Sequence, residues 1–321
     1  MRPELIRATD LLHNKTPEAV EEAIGLLQNT VYSFSMKVCG HPEDAEDTMQ
    51  EVLSRYLGHL TRIQTPQQMA VWLYTVTKNR CSRMRRKPAN APASVLSLEE
   101  LMPNDAELGR LLEDAATGPE RNLLAAEQHY LLHQAILCVP PALRIVLVLH
   151  DMEELSTELV AQILSLQPGT VRIRLHRARL SVRKEMSQLL RGAPEQAKAT
   201  KPISTNRMTA AKAVGKRPTE CRDLFANLSE YLDGRVEPRT SKEMRGHIEA
   251  CPACVAFLSD LRTAIDRCKS LKIHCDAGVA HRLRGLLTRE YQRMLTMPVS
   301  EGGTPQAGAP ANRAATALLS A

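Results

Sequence analysis

The sequence predicts an all-α protein built from several small helical domains. Hydrophobic residues make up 43 % of the 321 residues and aromatic residues only 3 %, and the apolar side chains recur at helical spacing more often than they alternate as in strands. No apolar run approaches the roughly 20 residues that cross a bilayer, and the N-terminus has no signal-peptide core. We therefore expect a helical protein located in the cytoplasm.

Three segments with few large apolar residues divide the chain into helical blocks. Segment 89–122 is predicted to be an acidic linker. Segment 191–218 carries seven basic residues and is predicted to be a flexible linker, and segment 296–321 is an Ala/Gly/Pro-rich tail predicted to be disordered. The helical blocks that remain are 18–88, 123–190 and 219–295.

The first block contains an acidic helix, HPEDAEDTMQEVLSRYLGHL. Pro42 suits a first helical turn, and one face of the helix is apolar. The opposite face carries acidic and amide side chains: Glu43, Asp44, Glu46, Asp47, Gln50 and Glu51. Because acids near a helix N-terminus are also favoured by the helix dipole, the pattern leaves two interpretations open, a solvated helix end or a docking surface.

A basic helix follows in TPQQMAVWLYTVTKNRCSRMRRK. Thr65, Pro66 and Gln68 match an N-cap, a first-turn proline and a capping-box partner. Its end carries six cations within ten residues, more than capping needs: Lys78, Arg80, Arg83, Arg85, Arg86 and Lys87. With the single tryptophan, Trp72, such a helix can hold phosphates and stack an unpaired base. Packing of Trp72 in the core is the alternative.

The second block predicts a helix-turn-helix. Ser156 can cap a short helix over 157–164, and the turn SLQPG leads into a longer helix that starts at Pro168. This second helix has an apolar face and a basic face without acids; its basic residues are Arg172, Arg174, Arg177, Arg179, Arg183 and Lys184. We expect the basic face to contact DNA phosphates and base edges, with a merely solvated face as the alternative.

Taken together and in this order, DAEDTMQEVLSRYL, WLYTVTKNRCSRMRRK, PPALRIVLVLHDMEELSTELVAQIL and GTVRIRLHRAR resemble regions 2 and 4 of the extracytoplasmic-function (ECF) sigma factors of bacterial RNA polymerase. The resemblance spans roughly residues 20 to 190. It implies an alternative sigma factor that binds core polymerase and promoter DNA in transcription initiation.

The resemblance also implies roles for individual residues. The side chains expected to face the coiled coil of the polymerase β′ subunit are Asp44, Asp47, Gln50 and Glu51. Those expected beside the −10 element are Trp72, Lys78, Asn79, Arg80 and Arg83. Those expected at the −35 element in the major groove are Thr170, Arg172, Ile173, His176 and Arg177, with Arg174 on the same basic helix. The family commonly has a small polar residue where Ile173 stands and a capping Ser where Gln167 stands, so no promoter sequence is inferred.

The third block contains HIEACPAC, which spaces one histidine and two cysteines as metal ligands. With Cys221 the candidate ligands are Cys221, His247, Cys251 and Cys254, three thiolates and one imidazole that suit a structural zinc site. A dithiol redox pair or incidental cysteines are the alternatives, and His274, Cys275 or His281 could replace a ligand.

The zinc pattern resembles the zinc-associated anti-sigma domain over about residues 219 to 270. This resemblance implies a fused regulatory domain that contacts the sigma domains within the same chain. The sequence shows no catalytic constellation, so we expect no enzyme activity. Two alternative functions are a helix-turn-helix regulator that is not a polymerase subunit and a dithiol oxidoreductase at Cys251 and Cys254.

Overall fold

The computed structural model describes residues 1–60, 62–83, 96–117, 125–190, 228 and 230–296. Every regular element in these ranges is a helix, so the all-α prediction is confirmed. No helix in the described part of the chain is both long and apolar enough to span a membrane.

The N-terminal helices are α1 (Pro3–Asn14), α2 (Pro17–Cys39), α3 (Pro42–Leu60) and α4 (Pro66–Arg83). The second group is α5 (Leu98–Leu101), α6 (Asp105–Thr117), α7 (Ala125–Cys138), α8 (Pro141–Leu147) with a π-helical turn Val148–Met152, α9 (Thr157–Leu164) and α10 (Pro168–Leu190). The last helices are α11 (Pro238–Ala250), α12 (Pro252–Ser270) and α13 (Ala277–Thr296).

Local signals explain where several helices begin and end. Pro17, Pro42, Pro66 and Pro168 each occupy a first helical turn, as their fixed φ favours. The Ser156 hydroxyl accepts a hydrogen bond from the backbone N–H of Leu159 at 3.2 Å and thereby caps α9. The observed bounds of α9 and the start of α10 agree with the helix-turn-helix predicted from the sequence.

The described residues group by contacts into two compact units. The described residues of the first unit lie within 1–89, 153–168 and 272–321, and those of the second lie within 90–152 and 169–271. This grouping differs from the chain order of the predicted domains, because α9 packs on α4 and α13 packs on α2 and α3. The division falls within the helix-turn-helix, between α9 and α10.

The first unit has its core between α1, α2, α3 and α4. Leu5, Ile24, Leu27 and Leu73 are at most 1 % exposed, and burying such side chains is the main stabilising contribution. The rings of Phe34 and Tyr74 meet at a centroid distance of 5.1 Å. At the end of α2, Gly40 adopts φ 82°, a left-handed conformation that favours glycine as a helix stop.

The second unit has a core shared by α5, α6, α10, α11 and α12. Leu101 and Leu108 from the acidic segment, Leu180 of α10 and Phe257 of α12 belong to one buried cluster. The sequence predicts the segment 89–122 as an acidic linker; its described part, 96–117, is helical and packed because its leucines bury against the third block.

Candidate functional site

The predicted metal ligands meet where α11 and α12 join. Ligand atoms of His247, Cys251 and Cys254 all lie within 4.8 Å of one another. His247 is in the last turn of α11, Cys251 is the residue between the helices, and Pro252 starts α12 so that Cys254 falls in its first turn. One imidazole and two thiols fit zinc. Cys221, the predicted fourth ligand, lies outside the described residues.

The substitute ligands considered for this cluster do not join it. His274, Cys275 and His281 follow α12, and the structure assigns them to the first unit. The chemistry of the cluster therefore rests on the His-x3-Cys-x2-Cys spacing, which a helix end followed by a proline-started helix brings to one point.

The N-terminal half of α10 is the open part of the predicted DNA-reading helix. Arg172 is exposed and Ile173 is 64 % exposed, whereas Thr170 and Arg174 are half-buried. His176 is 8 % exposed, and burial, with the charges of Arg179 and Arg177, lowers its pKa to about 4. His176 is therefore an interior residue in this structure, and its contact with the −35 element stays a prediction.

The C-terminal half of α10 is covered, and its arginines have acidic partners. Arg179 donates to Asp151 from Nε at 2.8 Å and from Nη2 at 2.6 Å, and Nη2 also donates to Asp233 Oδ1 at 2.9 Å. Arg183 donates to Asp260 Oδ2 at 3.0 Å and lies over the Phe257 ring at 4.8 Å from its centroid. Both arginines are 2–3 % exposed.

The ion pair of Asp151 with Arg179 lowers the pKa of the Asp151 carboxyl group. Burial alone would raise the pKa of Asp151, but its hydrogen bonds with Arg179 and His150 and the positive charge of Arg179 outweigh burial and lower the pKa to about 2. Sequence reasoning missed Asp151, because a single acid before a turn carries no signal that an arginine 28 positions later will bind it.

The start of the acidic segment, 96–101, contacts α10. Arg177 Nη2 donates to the carbonyl of Leu96 at 3.1 Å, and Lys184 Nζ donates to the carbonyl of Glu100 at 2.6 Å. These basic side chains, predicted to meet DNA, here bind the backbone of the segment that precedes α6.

The predicted polymerase-binding residues of α3 differ in their exposure. Asp47 and Gln50 are exposed, while Asp44 is 3 % exposed and belongs to the interior. Glu51 is half-buried and pairs with Arg80 of α4, with Oε2 and Nε 2.6 Å apart. Of the four predicted polymerase contacts, Asp47 and Gln50 are therefore the two that are fully accessible.

The basic end of α4 is partly occupied by other segments of the chain. Trp72 is half-buried and its ring stacks on His59 at a centroid distance of 6.3 Å. Lys78 Nζ donates to the carbonyl of Ile163 in α9 at 2.9 Å, and burial lowers the pKa of Lys78. The other predicted −10 contacts are the half-buried Asn79 and Arg80 and the exposed Arg83. The following basic run, 84–87, lies outside the described residues.

Helix α13 forms a contact that the sequence did not indicate. It packs on α2 and α3: Gln28 Nε2 donates to the carbonyl of Ala280 at 3.4 Å, and Arg284 Nε donates to Gln28 Oε1 at 3.5 Å. The sequence predicts α13 as part of the zinc-binding block, 219–295, because residues some 250 positions apart give no periodic signal of contact.

Three family models match this chain. They are "Sigma-70 region 2" over residues 24–90, "Sigma-70, region 4" over 129–182 and "Putative zinc-finger" over 221–254. The zinc-finger match starts at Cys221 and ends at Cys254, which are the first and last of the predicted ligands.

Curated relatives match over about half of this chain. The ECF RNA polymerase sigma factor SigW of Bacillus subtilis is 27 % identical over 175 residues, covering 54 % of this chain and 91 % of the relative. The RNA polymerase sigma-H factor of Pseudomonas aeruginosa is 28 % identical over 170 residues, covering 52 % and 85 %. The ECF RNA polymerase sigma-E factor of Escherichia coli is 26 % identical over 152 residues, covering 46 % and 76 %.

Proposed function

This chain is an alternative sigma factor of the ECF type with a fused zinc-finger domain, and from that premise we propose that it directs RNA polymerase to specific promoters in the cytoplasm and that the fused domain holds it closed. A sigma factor is a specificity subunit and not an enzyme. The observation that carries the closed state is the burial of Arg179 and Arg183 against Asp233 and Asp260.

We propose that the exposed acidic face of α3 contacts the coiled coil of the polymerase β′ subunit. Asp47 and Gln50 are open to solvent in the described structure, which supports their role as first contacts. Asp44 and Glu51 are proposed to join only if α3 rearranges, because Asp44 is interior and Glu51 is paired with Arg80.

Reversing one charge tests this docking face. Asp47→Lys is expected to lower retention of the full chain on core polymerase by about tenfold or more, because a cation replaces an exposed acid at a complementary interface. Co-purification with core enzyme measures the effect. Glu21→Lys, an exposed acid on α2, is the control and should bind normally; equal retention of both variants would contradict the docking role.

For promoter DNA, we propose that α10 reads the −35 element and α4 the −10 element. The exposed Arg172 and Ile173 support direct contact by the N-terminal half of α10, where recognition helices meet base edges. The exposed Arg83 and the half-buried Trp72, Asn79 and Arg80 support a role of α4 in holding the opened strand. Further DNA contacts would form once the segments that cover α4 and α10 move away. Those residues are Lys78 on α4 and Thr170, Arg174, His176 and Arg177 on α10.

Transcription from a genomic promoter library with core polymerase and this chain tests the whole proposal. A sigma factor should enrich promoters that share two elements at fixed spacing. The alternative, a helix-turn-helix regulator, would bind DNA but give no transcription unless another sigma factor is added. That second outcome would overturn the proposed function.

For the metal, we propose one zinc ion held by Cys221, His247, Cys251 and Cys254. The grouping of three of these donors within 4.8 Å supports the site. Bound zinc would tie the end of α11 to the start of α12 and so stabilise the block that covers α10. This role is structural, because four protein ligands leave no open position for a substrate.

Metal analysis tests the zinc site. The full chain purified under reducing conditions without chelator is expected to carry one zinc, and Cys251→Ser with Cys254→Ser should carry nearly none, because two ligands are lost. Mass spectrometry of the native protein gives the count. Cys138→Ser, at a half-buried cysteine of α7, is the matched control and should keep its zinc; a metal-free wild-type chain would contradict the site.

A further inference from the structure

Two cysteines of the first unit meet where the end of α2 lies against the end of α4. Cys39 is the last residue of α2, and Cys81 lies in the last turn of α4. The Cys81 thiol donates a hydrogen bond to the hydroxyl of Ser35, one turn before Cys39 on α2, with Sγ and Oγ 3.7 Å apart. The Cys39 thiol lies within hydrogen-bonding reach of the Cys81 thiol. Both cysteines are half-buried and neither is disulfide-bonded, so both keep some contact with solvent.

The surroundings of Cys81 favour its thiolate form. The hydrogen bond with Cys39 is the largest influence and lowers the pKa of Cys81; burial opposes it, and hydrogen bonds with the hydroxyls of Ser35 and Thr48 lower the pKa further. The thiolate is the nucleophilic form of cysteine, so a lower pKa increases reactivity at neutral pH. Cys138, the half-buried cysteine of α7, shows the opposite behaviour, because burial raises its pKa.

This pair suits oxidation better than its two alternatives, metal binding and plain packing. In the described part of the chain, no third metal-ligating side chain joins Cys39 and Cys81. Cysteines that serve only as small interior residues pack among apolar groups, whereas the Cys81 thiol contacts another thiol and two hydroxyls. Cysteines that respond to oxidants combine a lowered pKa, access to solvent and a neighbouring thiol that can resolve the oxidised sulfur. Cys81 has all three.

We propose that Cys39 and Cys81 form a peroxide-sensitive dithiol site, in which oxidation joins the end of α2 to the basic end of α4 by a reversible disulfide. The Cys81 thiolate attacks one oxygen of hydrogen peroxide, the O–O bond breaks, and hydroxide leaves Cys81 as a sulfenic acid. The Cys39 thiol then attacks that sulfur, the S–O bond breaks, and the oxygen departs as water. The hydroxide takes up the proton that Cys81 had released, so two thiols and one peroxide give one disulfide and two waters. A thiol reductant reverses the bond by exchange.

This site is separate from the zinc-binding cysteines, because Cys251 and Cys254 belong to the second unit. Its oxidation requires neither loss of zinc nor contact with polymerase or DNA, so the reactivity is independent of the proposed function. Cys81 lies between Arg80 and Arg83 in the sequence, so the disulfide would fix the basic end of α4 to α2.

Peptide mapping of the full chain tests the disulfide. The chain is treated with a molar excess of hydrogen peroxide, its remaining thiols are alkylated, and its tryptic peptides are analysed by mass spectrometry. A peptide pair joined through Cys39 and Cys81 is expected after peroxide, and dithiothreitol should remove it. Absence of this pair, or a yield no higher than that of disulfides to Cys138 in the same sample, would overturn the proposal.

A trapping experiment identifies the attacking thiol. In Cys39→Ser a hydroxyl can still hydrogen-bond to Cys81 but cannot resolve its sulfenic acid, so dimedone, a reagent for sulfenic acids, should label Cys81 about tenfold or more faster than Cys138 in the same chain. Cys138 is the matched control because it is equally half-buried and its pKa is raised. Equal labelling of the two cysteines would contradict an activated Cys81. Neither readout depends on transcription, so a failed promoter experiment would remove the proposed function and leave these results standing.

Discussion

A chain truncated after residue 195 is expected to give about 100-fold higher transcription activity than the full chain at equal concentration. The segment 191–218 has 28 residues, and the sequence predicts a flexible linker there. A linker of that kind and length would span roughly 30 Å and hold the zinc-binding block near mM effective concentration. An interface with a dissociation constant of about 10 μM would then leave about 1 % of molecules open. Transcription from a promoter selected by the library measures the difference.

Adding the separate 219–295 segment to the shortened chain should lower activity again. Alignments of 170 to 175 residues cover 85 % to 91 % of two relatives, which supports folding of a sigma part of similar length; circular dichroism would check it. Equal or lower activity in a folded shortened chain would contradict inhibition and favour an activating or structural role.

Charge reversal in the full chain tests the same inhibition without truncation. Asp233→Lys with Asp260→Lys places cations against Arg179 and Arg183, so activity should rise part of the way toward that of the shortened chain. Asp266→Lys is the control, since Asp266 is an exposed acid on the same helix as Asp260. A rise in the control alone would show that surface charge, not the ion pairs, sets activity.

Features encoded by neighbouring residues could be predicted from the sequence. The Ser156 cap and Pro168 define the ends of α9 and α10, because capping and proline geometry act within one turn. The grouping of His247, Cys251 and Cys254 follows from the same kind of rule, because one helix ends at Ala250 and the next begins at Pro252. Helix class, helix bounds and the metal cluster therefore depend on short-range physics.

Features that depend on distant partners could not be predicted. The basic face of α10 indicates DNA, but Arg179 and Arg183 are buried by Asp233 and Asp260, 54 and 77 positions away. The acidic face of α3 indicates solvent, yet Asp44 is interior. A charge pattern indicates which residues share a face but not what covers that face, so the ion pairs that cover part of α10 could be found only from the three-dimensional structure.

The second large effect is expected at Asp151, whose carboxylate binds Arg179 inside the second unit. Asp151→Asn should lower the free energy of unfolding by about 3–5 kcal/mol, because the buried charge of Arg179 would lose its buried ionic partner and keep only the partly exposed Asp233. Asp151 and Arg179 are both 2 % exposed. Urea unfolding at pH 7, followed by circular dichroism, measures the loss.

Asp233→Asn supplies the matched comparison for this ion pair. Its side chain is 20 % exposed and contacts the same guanidinium, so solvent screening should keep its loss near 1 kcal/mol or below. Because the pKa of Asp151 is lowered from 3.8 to about 2 in the folded protein, its ionisation contributes stability above about pH 4. That contribution, about 2 kcal/mol, is lost as the pH falls toward 2. Asp151→Asn should lack this acid-dependent loss; equal losses for the two variants, or an unchanged acid profile in Asp151→Asn, would show that Asp151 does not set the stability of the recognition helix.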